Sequence, residues 1–342
     1  MSALRIFGIT TIGLFALVGV VGFMKKNKSA RVAAAQEESQ GTSLALQEAK
    51  IPAFAVEPIT YDPPAVEKIV KESPKVVPIQ EEVPYLEADR IGRLFTTGPS
   101  KLPFVETISY KSRVSWLEGR PAWIADYASY YATSRHFIAR SLNGNRDYYT
   151  QKVSSGDMFN VFRKDKDIRF HLVVDLSQLK MWFYAYDADE NTRFLLKTYK
   201  VGCGKPDPTS PSGSLTPLGS FTLGDKVAIY KPGVEGFFKE QKVEMIQIFG
   251  TRWLPYTGEQ DETLALVKGF GIHGTPWVVE ETTGKLVEQR DTIGIYDSSG
   301  CIRLLQEDIE ELFAIVITKP TTVQVVRNLS EAKLPGTEWV DN

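Results

Sequence analysis

His171-Leu172-Val173-Val174-Asp175-Leu176-Ser177, then Lys180-Met181-Trp182-Phe183-Tyr184-Ala185-Tyr186 and Phe194-Leu195-Leu196-Lys197-Thr198-Tyr199-Lys200-Val201-Gly202, decide the fold. β-branched and aromatic residues crowd these runs and turn formers separate them, which is a strand pattern. Short strands in succession predict a sandwich or barrel-like sheet assembly, so the expected fold class is mainly β. Downstream, Pro206, Pro208, Pro211, Gly213, Pro217 and Gly219 punctuate a loop that leads into Ser220-Phe221-Thr222-Leu223.

Two glycine-rich blocks follow: Gly269-Phe270-Gly271-Ile272-His273-Gly274-Thr275 and Ser298-Ser299-Gly300-Cys301-Ile302-Arg303-Leu304. An unperturbed thiol, with a pKa of ~8.5, is only slightly ionised near neutrality, and an adjacent imidazole raises the thiolate fraction. Cys301 and His273 are therefore the candidate nucleophile and base. Glycine lets backbone approach a substrate and turns N–H groups toward it, so the N–H groups of Gly300 and Cys301 are the oxyanion candidates, with Ser299 and Gly274 on the substrate-binding surface. Leu304 to Ile317 has helical periodicity, which would set Cys301 shortly before a helix N-terminus whose dipole favours a thiolate. Arg303 suits two-point binding of a carboxylate or a salt bridge that braces the loop.

The 342 residues, 43% hydrophobic and 11% aromatic, can form at most two folded units. A formal charge of -2, from 40 basic and 42 acidic residues, carries no nucleic-acid footprint. Two cysteines are too few for a disulfide scaffold, and His136, His171 and His273 have no spacing that suggests zinc. No metal or cofactor is expected. Cys203 reads as a buried thiol or, in an oxidising compartment, as half of a reversible disulfide with Cys301.

The N-terminal quarter has a different character. Ile6 to Met24 is an uncharged apolar run, close to the ~20 residues that span a bilayer, with Arg5 before it and Lys25, Lys26 and Lys28 after. Residues 1–28 are thus expected to be a membrane anchor or signal segment, with Ala33-Ala34-Ala35 as a small-residue stretch behind it. Residues 29–84 carry prolines at 52, 58, 63, 64, 74, 78 and 84 and almost no aromatics, the composition of a disordered, semi-rigid spacer.

Residues 85–165 read as a small α+β module ordered strand, helix, helix, strand. Trp123, Ile124, Tyr127, Tyr130 and Tyr131 recur at helical spacing, His136 to Leu142 continues it, and Asn143-Gly144 signals a C-cap. With Ile124-Ala125-Asp126-Tyr127, Ser141-Leu142-Asn143 and Ser155-Gly156-Asp157-Met158, this order resembles a LysM module, which implies binding of N-acetylglucosamine polymers. The other reading is a structural lead-in to the next domain. His136 is expected to be packed or on the surface, and His171 to be structural.

The two glycine-rich blocks resemble the YkuD-type L,D-transpeptidases, with their His-Gly pair and later Ser/Thr-x-Gly-Cys-x-Arg/Asn block. Val174-Asp175-Leu176-Ser177-Gln178-Leu179-Lys180-Met181 is similar to that family's opening strands, and Thr216-Pro217-Leu218-Gly219-Ser220-Phe221 to its Thr-Pro-x-Gly-x-Phe segment. The resemblance implies a catalytic domain over 166–330, followed by a tail at 331–342. Cys301 would attack a peptidoglycan tetrapeptide stem, release D-alanine and hold the acyl group as a thioester. An amine of a neighbouring stem, a protein or water would then take it. A non-catalytic, membrane-tethered wall-binding protein is the rival from another class. Two departures stand out: Ser299 occupies a position where many members carry a second histidine, and the His273–Cys301 interval is long. Thr275 to Ile293 is expected to form an inserted hairpin around Thr283-Gly284, either shaping the groove or lying on the surface. This chemistry places the domain in the periplasm or otherwise outside the cytoplasm, anchored through the N-terminal helix in the inner membrane. The basic flank after the apolar run argues the opposite orientation.

Overall fold

The computed structural model describes residues 87–142, 152–238, 241–258 and 267–340, all within one compact unit, Ala53–Asn342. The expected membrane segment and the spacer lie outside the described residues, as does Asn143-Gly144. Among the described residues no helix is long and apolar enough to cross a membrane.

The chain begins with a short helix α1 (Gly92–Phe95), strand β1 (Val105–Ser109), helices α2 (Ile124–Tyr130) and α3 (Arg135–Ser141), and strand β2 (Met158–Phe162). β1 pairs antiparallel with β2, so the order strand, helix, helix, strand closes on itself. Asp126 fixes the start of α2 by accepting from the Trp123 N–H at 2.8 Å, and Ser134 caps α3 by accepting from the Phe137 N–H at 2.9 Å. Tyr127, Ala128, Ile138, Leu142, Phe159 and Val161 form a small core between them. Phe104, Val105, Phe137 and Phe162 belong instead to the main core of the protein. The unit is thus joined to the rest by shared apolar packing.

The main body runs through β3 (Ile168–Asp175), β4 (Lys180–Asp187), β5 (Thr192–Lys200), β6 (Cys203–Gly204), β7 (Gly219–Leu223), β8 (Val227–Ala228), β9 (Glu235–Phe238) and β10 (Gln241–Glu244). Helix α4 (Met245–Phe249) then leads to β11 (Arg252–Thr257), β12 (Gly271–Gly274), β13 (Trp277–Val279), β14 (Leu286–Glu288), β15 (Tyr296–Ser298) and β16 (Ile302–Leu304). Helix α5 (Gln306–Val316), β17 (Thr321–Val326) and β18 (Thr337–Glu338) complete it.

Most strands join one curled 10-stranded sheet in the order β16-β12-β11-β7-β17-β3-β4-β5-β18, with β8 beside β11. β3 and β4 are buried on both faces, which is why their sequences are near-continuous apolar runs, whereas β17 alternates buried and half-buried positions with period two. The Asp175 carboxylate is fully buried but satisfied. It accepts from the Ser177 hydroxyl at 2.7 Å, the Gln178 N–H at 3.1 Å and the Leu329 N–H at 2.8 Å, tying the β3–β4 turn to the chain after β17.

α5 lays Ile309, Leu312, Phe313, Ile315 and Val316 into the core, each worth about 1.5–3 kcal/mol of transfer free energy. Glu307 and Asp308 sit in its first turn, where the helix dipole favours them. The stretch 331–342, read as a tail, contributes to the sheet: β18 pairs parallel with β5, and Trp339 packs on Phe194 at 5.2 Å between ring centroids.

Candidate active site

β12 carries His273 and pairs parallel with β16, in the register Ile272 to Ile302 and His273 to Arg303. Cys301 lies one residue ahead of β16, so continuing the register places it opposite Gly271. In a sheet, residues two apart share a face, and this diagonal is about 8 Å between Cα atoms, from a strand spacing of ~4.8 Å and a rise of ~3.3 Å per residue. His273 and Cys301, far apart in sequence, are thus brought to neighbouring segments of the chain by the pairing of β12 with β16.

A common wall supports this placement. Phe249 and Trp253 flank the His273 ring at 5.5 Å and 5.9 Å between centroids, and Cys301 packs against the cluster containing both of those side chains. The Cys301 thiol is half-buried, and its sulfur lies 3.6 Å from the Gly269 carbonyl oxygen.

The His273 ring is fixed by its own strand, with Nδ1 2.6 Å from the Gly274 carbonyl. Nδ1–H donates there in the neutral imidazole, which leaves the Nε2 lone pair to accept a proton. Burial pulls the pKa of His273 down to about 4; the Gly274 carbonyl opposes that shift and the Arg303 charge adds to it. The imidazole is neutral at pH 7. It is built to take a proton during reaction rather than to hold a resident charge beside a thiolate.

Gly300 adopts φ of 120°, a region that L side chains rarely enter, and the Phe270 ring occupies the space where its side chain would be. A Cβ on Gly204 would lie 2.6 Å from the Thr216 nitrogen and 3.0 Å from the Gly300 Cα. Thr216 Oγ1 accepts from the Gly204 N–H at 2.8 Å. The Thr-Pro segment therefore supports the nucleophile loop from behind.

Two sequence expectations change here, and one of the two readings of Arg303 gains a partner. The Gly300 N–H is engaged, donating to Ser298 Oγ at 3.1 Å, while that hydroxyl donates to the Cys301 carbonyl at 2.6 Å. To serve an oxyanion it would have to give up that bond. Cys301 does not sit at a helix start, because β16 intervenes and α5 begins at Gln306, whose N–H donates to Glu288 Oε1 at 2.7 Å. The dipole is spent on that carboxylate. Arg303 is mostly buried and donates from Nη1 to Asp297 Oδ2 at 3.2 Å, the geometry of a brace. Ser299 is exposed and Gly274 buried.

Cys203 is a free, fully buried thiol, pushed up to about 12 chiefly by desolvation, and so inert as a nucleophile. Cys301 is also a free thiol. His171 lies on β3, edge-on to Tyr186, with its pKa lowered by burial and by Arg169. The inserted stretch forms the hairpin β13–β14, and its Trp277 and Leu286 join the same apolar cluster as Cys301. It is a wall of the site, tied down where Glu288 also accepts from the Thr275 hydroxyl.

Sequence reasoning missed Tyr256. Its hydroxyl is buried, has no hydrogen-bond partner among the described residues, and titrates well above the usual range through desolvation and the nearby Cys301 and Cys203 thiols. Nothing in Leu254-Pro255-Tyr256-Thr257 marks it; only the pairing of β11 with β12 brings it there. Among the described residues no group of three or more His, Cys, Asp or Glu is arranged to hold a metal ion.

Residues 169–325 match the family model described as YkuD, the L,D-transpeptidase catalytic domain. No curated protein matches the chain. Among solved structures the chain is similar to the helical cell shape determining protein Pgp2 of Campylobacter jejuni. That match has 18% identity over 50% of this chain and 50% of that one, at a TM-score of 0.30. It is also similar to Bd1075 of Bdellovibrio bacteriovorus, with 16% identity over 47% and 48% of the two chains at a TM-score of 0.30. The chain spans about half the length of those proteins.

Proposed function

Because residues 169–325 match the family model of the YkuD L,D-transpeptidase catalytic domain, we propose that the chain is a cysteine acyltransferase of the cell wall that joins peptidoglycan stem peptides. The observation that supports this reading is the apolar cluster of Phe249 and Trp253, against which both the His273 ring and Cys301 pack beside the paired strands β12 and β16, with the imidazole Nδ1 committed to Gly274.

In the proposed reaction the Cys301 sulfur attacks the stem carbonyl that bears D-alanine while the thiol proton passes to His273 Nε2. The tetrahedral intermediate collapses with cleavage of the C–N bond. His273 returns the proton to the departing amine, D-alanine leaves, and a thioester remains on Cys301. An amine of a neighbouring stem then attacks the thioester, its proton moves to His273, and the thiol is regenerated with a new amide bond. Phe249, Trp253, Trp277 and Leu286 form an apolar wall beside the sulfur, which favours an amine acceptor over water by excluding solvent. Arg303, paired with Asp297, orders the nucleophile loop in this reading.

The βααβ order of β1, α2, α3 and β2, with Trp123 and Tyr130 exposed on it, supports a glycan-binding role for that unit. The apolar run 6–24 supports a membrane anchor, and the substrate class a location outside the cytoplasm.

Intact-mass measurement of the full chain in detergent, incubated with a tetrapeptide muropeptide, tests the proposal. Wild type is expected to gain the acyl mass and Cys301→Ala none; equal gain on both removes the nucleophile assignment. Product analysis then separates crosslinked stems from hydrolysed ones.

A further inference from the structure

Arg252, the first residue of β11, is completely buried, and its guanidinium lies between two rings, 5.0 Å from the Tyr230 centroid and 5.1 Å from that of Phe313. Such burial of a guanidinium is costly unless its charge and donors are met. Here Nη1 donates to the Thr251 carbonyl at 2.6 Å, and Glu310 of α5 stands 3.8 Å away.

The pocket is closed by a residue from the N-terminal βααβ unit. His136 of α3 stacks parallel to Tyr230 at 6.1 Å, meets Phe313 edge-on at 5.4 Å, and has Nε2 3.2 Å from the Tyr230 hydroxyl. α3 is also held against α5 by Ser134, whose hydroxyl donates to the Ala314 carbonyl at 2.5 Å.

From Arg252 two short routes reach His273. Along β11 the next residue is Trp253, the register partner of His273, whose indole packs on the imidazole at 5.9 Å. Backward, Arg252 holds the Thr251 carbonyl, which also accepts from the Ile229 N–H at 2.8 Å. The Gly250–Thr251 turn presses directly on the backbone that aims the base. A Cβ on Gly250 would lie 2.6 Å from the Thr275 carbonyl oxygen and 2.8 Å from the Gly274 carbonyl carbon. Gly274 supplies the carbonyl that fixes His273 Nδ1.

We propose that Arg252, clamped by His136 and Tyr230, is a positioning residue for His273, so that docking of the N-terminal unit sets the orientation of the base. The inference rests on His273 acting as the base of the reaction proposed above. It gives the N-terminal unit a part in catalysis separate from any glycan it holds. An imidazole misplaced by ~1 Å loses on the order of a hundredfold in rate, so a rigid support behind β11 has a kinetic consequence.

The test uses the full chain in detergent and iodoacetamide, which reports on Cys301 without any stem peptide; Cys203 is buried and stays silent. Three readings are taken: the Cys301 alkylation rate, the ring ¹⁵N signals of the three histidines, and the unfolding temperature. Arg252→Met fills the pocket with an uncharged side chain, a kind of exchange that often leaves stability intact. We expect alkylation to slow by about tenfold or more, the His273 signal to move, the unfolding temperature to stay near wild type, and Arg252→Lys to recover part of the rate. Tyr230→Phe removes only the hydroxyl from His136 and serves if Arg252→Met does not fold; it should move the His273 signal in the same direction. Thr318→Ala removes a different contact with the N-terminal unit, the hydroxyl that donates to the Ala132 carbonyl at 2.9 Å, and should leave that signal in place. Folded Arg252→Met or Tyr230→Phe protein with wild-type His273 signal and alkylation rate overturns the positioning role. So does a Thr318→Ala shift as large as that of Tyr230→Phe. His273→Gln protein alkylated at the wild-type rate overturns the base assignment itself and this inference with it.

Discussion

Two histidines are walled into this protein on opposite sides of β11, and their surroundings differ in one respect that decides their chemistry. Desolvation brings His273 down to about 4 and His136 to about 3, with Arg303 adding to the first shift and Arg252, Arg135 and Arg140 to the second. Both are neutral at pH 7. His273 spends Nδ1 on a carbonyl of its own strand, which leaves the lone pair of Nε2 to accept a proton. His136 has its Nε2 turned to the Tyr230 hydroxyl and its ring packed between apolar and cationic neighbours. Burial therefore makes neither a base. What distinguishes them is which nitrogen the fold consumes.

The largest effect that sharpens this contrast is on acylation. His273→Gln is expected to slow thioester formation by about 10²–10⁴-fold at pH 7, the usual worth of a general base, measured by time-resolved intact mass. His136→Gln should cost far less. Comparable losses in the two variants would mean that the consumed nitrogen is irrelevant.

The next effect is on stability in acid. A histidine whose folded pKa lies below its unfolded value, near 6.5, binds fewer protons in the native state, so stability falls as pH drops from about 6.5 toward the folded value. For His136 and His273 that window runs from pH 6.5 to about pH 3 and pH 4 respectively. Each unit of difference is worth about 1.4 kcal/mol, so the two together remove several kcal/mol. Urea titrations between pH 7 and pH 4 should show this decline in wild type and a shallower one in His136→Gln. An unchanged slope would show that His136 is not held neutral.

Gly250→Ala comes third. The residue has φ of 60°, and a Cβ would press on the Thr275 and Gly274 backbone. About 1–3 kcal/mol of destabilisation is expected from the strain and contact, read by denaturant unfolding, together with slower acylation because Gly274 aims His273. Loss of stability without loss of rate would separate the turn from the base.

How much of this could be read from the chain depends on where the information resides. The strands β3 and β4 are legible because they are buried on both faces and so appear as apolar runs. His273 and Cys301 stand out as candidates in the sequence because a glycine adjoins each. Over 105–163 the two helices follow from the Tyr127 and His136 periodicities, and the closing strand from the alternation before Phe162. What the chain could not disclose is set by contacts between distant segments. Arg252 looks like any surface arginine until Tyr230 from the loop after β8, Phe313 of α5 and His136 of α3 converge around it. Helical periodicity in the sequence starts at Leu304; pairing with β12 carries β16 through that residue and delays α5 to Gln306. The N–H of Gly300 looked available because its acceptor, Ser298 Oγ, is a local side-chain choice that glycine spacing does not report.

Tyr256 offers the smallest and most discriminating effect. Where His136 and His273 are buried with a partner, the Tyr256 hydroxyl is buried with none among the described residues, stacked by Phe221 at 4.8 Å. An unsatisfied buried hydroxyl carries a desolvation penalty without a compensating bond, so Tyr256→Phe should leave stability unchanged or raise it by up to about 1 kcal/mol. Cys301 and Cys203 both contribute to holding this phenol un-ionised, which places it within electrostatic reach of the nucleophile. Acylation and stability therefore separate the two roles open to it. An idle hydroxyl gives Tyr256→Phe protein that is at least as stable and equally fast. A hydroxyl that finds its partner only in the charge developing on the substrate gives protein that is at least as stable but slower. A loss of stability beyond about 1 kcal/mol would contradict both, because it would require a ground-state hydrogen bond at a buried hydroxyl that has no partner among the described residues.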